Sequence, residues 1–342
     1  MREFRSNKKN ILSKIFIKLC RIFGYEIIDQ SNYSVPTSNK FIGDNLSIPG
    51  MRSINLPLGN VKITRPVKSL DIILRTCQSV NMLTQNKKRM FEKNKNEYTK
   101  RTVISIVKSI NNAKKIFGKV KFKLHIIDHN SEKIDLKNIE NIIKGSDVDY
   151  EILKLNFEKY SKLIENKNEE KKEVTSNQKS NMSNIHQSLL LAKEIGEDLI
   201  YFVEDDYIHN RDSFSEMLYT YERISSLTGN ELIICPVDYP YLYSKIENTK
   251  IFLGENRHWR QIDQTLCTFL TSRKIVDKHF NDFLSMCKFE HYPFEKPLHK
   301  IYQKELCISP IPSLAVHFTN VNSIYGLSPN IDWKKIWEEN AN

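Results

Sequence analysis

One stretch constrains this chain more than any other: Asp198-Leu199-Ile200-Tyr201-Phe202-Val203-Glu204-Asp205-Asp206. Its middle is a continuous apolar run of strand length bounded by polar residues, the pattern of a buried strand. It ends in three consecutive carboxylates. Like charges held that close raise one another's pKa and resist joint ionisation, so the end of this strand needs positive charge nearby. A divalent cation supplies it. Hard ions such as Mg²⁺ or Mn²⁺ take carboxylate oxygens and keep open positions for phosphate oxygens. The carboxyl end of a strand is also where ligands bind in open α/β sheets. A polar loop with helix-capping acids accounts for the triplet equally well, since Asp212 stands where the next helix would take its N-cap.

The segments around this run alternate in period. Leu70–Leu74, Phe122–Ile127 and Tyr150–Leu155 read as short buried strands, with a long basic helix over about 88–115 between the first two. Strands that alternate with helices predict an α/β, doubly wound, mostly parallel sheet. The run 165–180 is charged and weakly hydrophobic and reads as a mobile loop. A helix follows from near Met182, with Gly196 marking its end. Beyond the acid triplet come a helix from about Asp212, a strand at Leu232–Cys235, a loop with Tyr239–Tyr243, and a strand at Thr265–Thr271. Helices from Arg273 and around Pro297–Gln303, then a closing strand near Leu314–His317, complete the domain. The expected organisation is an N-terminal amphipathic helix and linker over 1–66, a main α/β domain over 67–330 and a C-terminal helix or tail over 331–342. Residues 31–66 are rich in Ser, Asn, Pro and Gly, with a short hairpin expected around Val61–Thr64.

Composition narrows the function. The 52 basic against 41 acidic residues leave a net charge of +11, but no Arg-rich cluster interleaved with aromatics is present, so no nucleic acid is expected as partner. Six widely spaced cysteines without a CxxC pair exclude zinc-ribbon and thioredoxin-like sites and fit a reducing, cytoplasmic setting. No segment reaches the ~18 apolar residues of a membrane span. Ile11, Leu12, Ile15, Phe16, Leu19, Ile22 and Phe23 recur at helical spacing among Lys8, Lys9, Lys14, Lys18 and Arg21. That helix either lies on an anionic membrane surface or packs on the main domain.

The stretch LIYFVEDDYIHNRDSFSEML resembles the metal-binding segment of GT-A fold glycosyltransferases, in which a hydrophobic strand ends in a DxD-type motif followed by a helix. Its EDD form is similar to N-acetylglucosaminyltransferase I and family 2-like glycosyltransferases. The resemblance implies a nucleotide-sugar transferase of the GT-A fold with a basic N-terminal extension, using Mn²⁺ or Mg²⁺. It implies that Asp206 coordinates the metal, and that Glu204 and Asp205 contact the donor ribose or sugar, or the metal through water. Arg75 and Thr76 match the nucleotide loop after the first strand, and Asp128 and Asn130 the base-recognising end of the second. Asn184 and His186 match a nucleotide-contacting helix, and His317 a late metal-ligating histidine on the closing strand, within Cys307–His317. The match covers about residues 69–325 in order of elements; the triplet is Glu-Asp-Asp rather than Asp-x-Asp, and the first seventy residues match nothing named. Each carried-over residue has an ordinary reading too: Asp128 and Asn130 as turn residues, His317 as a core histidine, Arg75 as an ion-pair partner of Glu204.

Inverting transfer needs a base on the acceptor side. The aromatic stretch Phe289–His299 offers Glu295 first and Glu290 second, and Asp263 in HWRQIDQT is third. Glu295 also fits as a helix N-terminal acid favoured by the dipole. The expected reaction is sugar transfer from a nucleoside-diphosphate sugar, uridine-linked by preference, to a saccharide or lipid-linked glycan at the cytoplasmic face. A sugar-nucleotide nucleotidyltransferase is the first alternative, although Arg75-Thr76-Cys77-Gln78 lacks the glycine of its usual phosphate loop. A non-catalytic saccharide- or nucleic-acid-binding protein is the second.

Overall fold

The computed structural model describes residues 11–25, 55–56, 59–60, 62–79, 90–91, 93–244, 246–318 and 326–341. It divides into two compact units, Met1–Asn60 and Val61–Asn342. The first holds helix α1 (Ile11–Ile22) and a two-residue hairpin, β1 (Asn55–Leu56) against antiparallel β2 (Gly59–Asn60). The hairpin thus precedes the expected Val61–Thr64, of which Val61 lies outside the described residues. The backbone N–H groups of Thr64 and Arg65 instead donate to Ser226 Oγ at 3.0 and 3.1 Å, so no hairpin partner claims them.

The second unit opens with β3 (Ser69–Thr76), buried along its whole length. Helix α2 (Lys95–Ile116) follows, then β4 (Lys121–Asp128), α3 (Lys133–Lys144), β5 (Asp149–Lys154), α4 (Phe157–Ser161) and α5 (Ser176–Ile195). Next come β6 (Leu199–Glu204), β7 (Tyr207–His209), α6 (Ser213–Thr228), β8 (Leu232–Ile234), β9 (Ile251–Leu253), β10 (His258–Gln261) and β11 (Phe269–Ser272). Helices α7 (Arg273–Lys278), α8 (Phe280–Ser285) and α9 (Lys296–Tyr302) lead to β12 (Leu306–Ile311), β13 (Ala315–His317) and α10 (Trp333–Glu339).

The main sheet has nine strands in the order β5-β4-β3-β6-β11-β8-β12-β10-β9. All run one way except β11 and β10. This is the α/β, doubly wound, mostly parallel sheet that the alternating pattern predicts. Helix α5 packs with α4, α7 and α8 and against β3 and β4, while α2 packs with both α3 and α6. The core beneath α5 joins Ile185, Leu189 and Ala192 to Ile200 and Phe202 of β6 and to Leu298 and Ile301 of α9.

Three differences from the sequence reading have local causes. Helix α5 starts six residues before Met182, inside the polar run, because Thr175 and Gln178 form a reciprocal capping box. The rest of that run is ordered, with a bridge between Lys167 and Glu173 and the Glu169 N–H donating to the Glu290 carbonyl at 3.1 Å. Helix α2 begins at Lys95 rather than near 88 (88, 89 and 92 lie outside the described residues), since Asn94 is extended at ψ 157°. The expected closing strand is two strands: β12 joins the main sheet, whereas β13 pairs antiparallel with β7 in a separate ribbon, His317 opposite Tyr207. Gly196 does end α5, at φ −61°, and a Cβ there would stand 2.8 Å from an Ile200 side-chain carbon.

Candidate active site at the carboxyl end of the sheet

Strands β3 and β6 are neighbours in parallel register, so Arg75 and Glu204 arrive side by side at the carboxyl edge. The Arg75 guanidinium pairs with Glu204 Oε1 at 3.1 Å and donates to Asn181 Oδ1 of α5 at 3.2 Å. Glu204 N–H donates to Thr268 Oγ1 at 3.3 Å. Glu204 ends β6, and Asp205 stands in the two-residue turn before β7, where it is buried. It takes the Lys95 ammonium at 3.0 Å, the Thr99 hydroxyl at 3.1 Å and the Cys77 backbone N–H at 3.2 Å. The positive charge that this carboxylate needs is thus the protein's own, from the first turn of α2.

Asp206 lies at the junction of the main sheet and the β7–β13 ribbon. Its carbonyl accepts the Phe318 N–H at 2.9 Å, which holds the residue after β13 beside it. Its Oδ2 lies 3.7 Å from His317 Nε2. The imidazole is stacked on the Tyr207 ring, centroids 4.5 Å apart and 8° from parallel, with Tyr239 edge-on at 6.4 Å. The Tyr207 and Tyr239 hydroxyls share a 2.6 Å hydrogen bond, so the aromatic support of the histidine is itself tied together. Tyr241 stacks on Tyr239 at 5.6 Å and continues this wall toward solvent.

Glu295 precedes α9 and makes no side-chain cap bond to it. Burial pushes its carboxyl up to about 7, and the negative charge of Glu204 adds to this, while His317 and Arg75 pull it down. The glutamate therefore shares one electrostatic environment with the ends of β3, β6 and β13. A carboxyl poised near neutrality is what proton abstraction requires.

The remaining expected residues have other duties. Glu290 accepts from Gln178 Nε2 and from Asn168 Nδ2, the latter at 3.1 Å, and so fastens the 165–175 segment and the start of α5. Asp263 is exposed. Asp128 accepts Thr76 Oγ1 at 2.7 Å, Ser131 Oγ at 2.5 Å and the Ser131 N–H at 3.1 Å, which closes the turn after β4. Asn130 is exposed in that turn at φ 58°, a left-handed position that asparagine tolerates. Asn184 donates to the Ile127 carbonyl at 3.0 Å, and His186 packs its ring 4.9 Å from Tyr160; burial lowers the His186 pKa. Asp212 does not cap α6 with its side chain; Arg257 holds that carboxylate at 2.6 Å. Sequence reasoning missed Asn181, Lys95, Tyr207 and Tyr239. Tyr207 alone carried a usable signal, as the residue directly after the triplet on a strand that must pair with something.

Among the described residues no three His, Cys, Asp or Glu side chains converge as a closed metal cage. Asp206 and His317 together offer one carboxylate and one imidazole to a cation. Ligands 2.0–2.1 Å from an octahedral cation stand about 3 Å apart when adjacent and about 4 Å when opposite. A gap of 3.7 Å between one carboxylate oxygen and one imidazole nitrogen falls between these and matches neither, so the pair would have to close by about 0.7 Å to take adjacent positions on such a cation.

No family model matches this chain. No curated protein matches it either. Among solved structures it is similar to the galactosyltransferase LgtC in complex with donor and acceptor sugar analogues, at 10% identity over 79% of this chain and 95% of that one, TM-score 0.39. It is similar to a UDP-glucose pyrophosphorylase complexed with UDP-glucose, at 10% identity over 81% and 97%, TM-score 0.36. Two S. aureus TarS structures match at 10% and 11% identity over 62% of this chain, with TM-scores of 0.34 and 0.35. The chain spans only 29% and 49% of the length of those two. Likenesses this distant carry no functional argument.

Proposed function

We propose that this chain is a GT-A-type glycosyltransferase that binds a nucleoside-diphosphate sugar, uridine-linked by preference, together with Mn²⁺ or Mg²⁺, and passes the sugar with inversion to a saccharide or lipid-linked glycan hydroxyl. The observation that carries the reading is the Asp206–His317 pair, 3.7 Å apart at the end of the central strand β6. Asp206 and His317 hold the cation, and the Tyr207 stack fixes the imidazole so that Nε2 faces the carboxylate. When bound, the cation neutralises charge on the departing diphosphate. The Arg75–Glu204 pair lies beside it, with Arg75 placed for a phosphate oxygen and Glu204 for a sugar or ribose hydroxyl. In the transfer step the acceptor oxygen bonds to the anomeric carbon as the bond to the diphosphate oxygen breaks. Glu295 takes the proton of the acceptor hydroxyl.

The test is thermal unfolding against a panel of UDP-, GDP-, CMP- and dTDP-sugars, each with and without Mn²⁺. A ligand that binds only the folded state raises Tm by mass action, by about 2.7 kcal/mol of stability at a hundredfold excess over Kd. The expected result is a shift with one nucleotide class that vanishes without the cation. Absence of any nucleotide-sugar shift, or turnover of a nucleoside triphosphate with a sugar phosphate in place of sugar transfer, sinks the proposal.

A further inference from the structure

The N-terminal unit carries a feature that the transfer chemistry does not use. Helix α1 exposes Ile11, Leu12, Ile15, Phe16, Leu19 and Ile22, each about half to three-quarters bare. At 100° per residue these six fall within an arc of about 140°. Lys14, Lys18 and Arg21 fall within about 60° along one flank of that arc, and the helix contains no acidic residue. The sequence just before it adds Lys8 and Lys9.

An exposed apolar face normally needs an occupant. The helix is about 18 Å long at 1.5 Å per residue, too short for the ~30 Å hydrocarbon core of a bilayer. A second copy of the same helix would cover the apolar arc but offer no acidic residue to the basic flank, and packed antiparallel it would set the two basic flanks side by side. A surface that is apolar below and anionic above satisfies both halves of the helix. The apolar arc enters the acyl boundary while Lys14, Lys18 and Arg21 extend to the headgroups.

We infer that α1 is an in-plane anchor for a bilayer containing anionic lipid. The inference does not depend on the transfer reaction and is tested apart from it. The full-length chain is co-sedimented with vesicles of phosphatidylcholine alone and of phosphatidylcholine with added phosphatidylserine. Binding to the anionic vesicles is expected, weakened by salt. Each basic side chain near such a surface contributes ~1 kcal/mol, so the triple change K14Q/K18Q/R21Q should weaken binding about 100-fold. Ile15→Ser with Leu19→Ser should abolish it, with Tm unchanged. Equal binding to both vesicle types, or unchanged binding by either variant, overturns the inference. So does a lower Tm in the serine variant, which shows the face packed within the protein, or a dimer in size exclusion that the serine variant dissociates without vesicle binding.

Discussion

Glu295→Gln should make the protein more stable and less active at once. Burial raises this carboxyl from 4.5 to about 7. A group whose folded pKa is raised contributes stability that is complete below the unfolded value and is lost as pH climbs through the folded one. The window here is pH 4.5 to 7, and above it the folded state bears the full cost of a desolvated carboxylate. A shift of this size corresponds to about 3 kcal/mol at 1.36 kcal/mol per unit, reduced to about 2 kcal/mol because the side chain is only partly buried. Glutamine keeps the shape and carries no charge. Glu295→Gln should therefore gain about 2 kcal/mol over wild type at pH 8 and almost nothing at pH 4. Guanidinium denaturation at both pH values reads this directly, and Tm at pH 8 should rise by about 3–4 °C for a domain of this size. The same change removes the proposed base, so kcat should fall ~10²–10⁴-fold with nucleotide-sugar binding nearly unchanged. In the wild type, transfer should rise about tenfold per pH unit below 7 and level off above it. Equal stability effects at pH 4 and pH 8, or a less stable variant at pH 8, would refute the reasoning about burial.

Other substitutions separate neighbouring acids. Asp205→Ala removes the buried acceptor of the Lys95 ammonium, the Thr99 hydroxyl and the Cys77 N–H and should cost about 3 kcal/mol of stability in denaturant titration, with or without nucleotide. Glu290→Gln should cost about 1 kcal/mol through its contacts with Gln178 and Asn168, while transfer stays near wild type in a donor-turnover assay. Asp263→Asn, at an exposed position, should leave both stability and transfer unchanged.

The apolar-rich runs that became β3, β4 and β6 were readable because buried strands are rich in Leu, Ile, Val and Phe; the polar interruptions Asp71 and His125 pair with each other across β3 and β4 at 3.0 Å. The start of α5 was hidden because a capping box is made of polar residues and looks like the loop around it. The closing strand expected near Leu314–His317 is β13, but its partner β7 is three residues long, is defined only by that pairing and shows no period of its own. At the site, adjacency in sequence misled for a geometric reason. Glu204, Asp205 and Asp206 are consecutive, yet Glu204 ends β6 while Asp205 and Asp206 form the turn before β7, and the three reach different partners: Arg75, Lys95 and His317. Glu290 and Glu295 share one aromatic loop in the sequence; only the contacts with Gln178 and Asn168 separate the fastening acid from the one left near neutrality. The partners that decide these roles all stand more than a hundred residues away, where no local pattern reaches.

The central claim is that Asp206 and His317 hold a divalent cation for a nucleoside diphosphate, and calorimetric titration of UDP with and without Mn²⁺ tests it most directly. Wild type should bind UDP only with the cation present. Asp206→Asn should lose that binding while its denaturation midpoint without ligand stays that of wild type. Cation-independent binding by the wild type, or undiminished affinity in Asp206→Asn, would contradict the account.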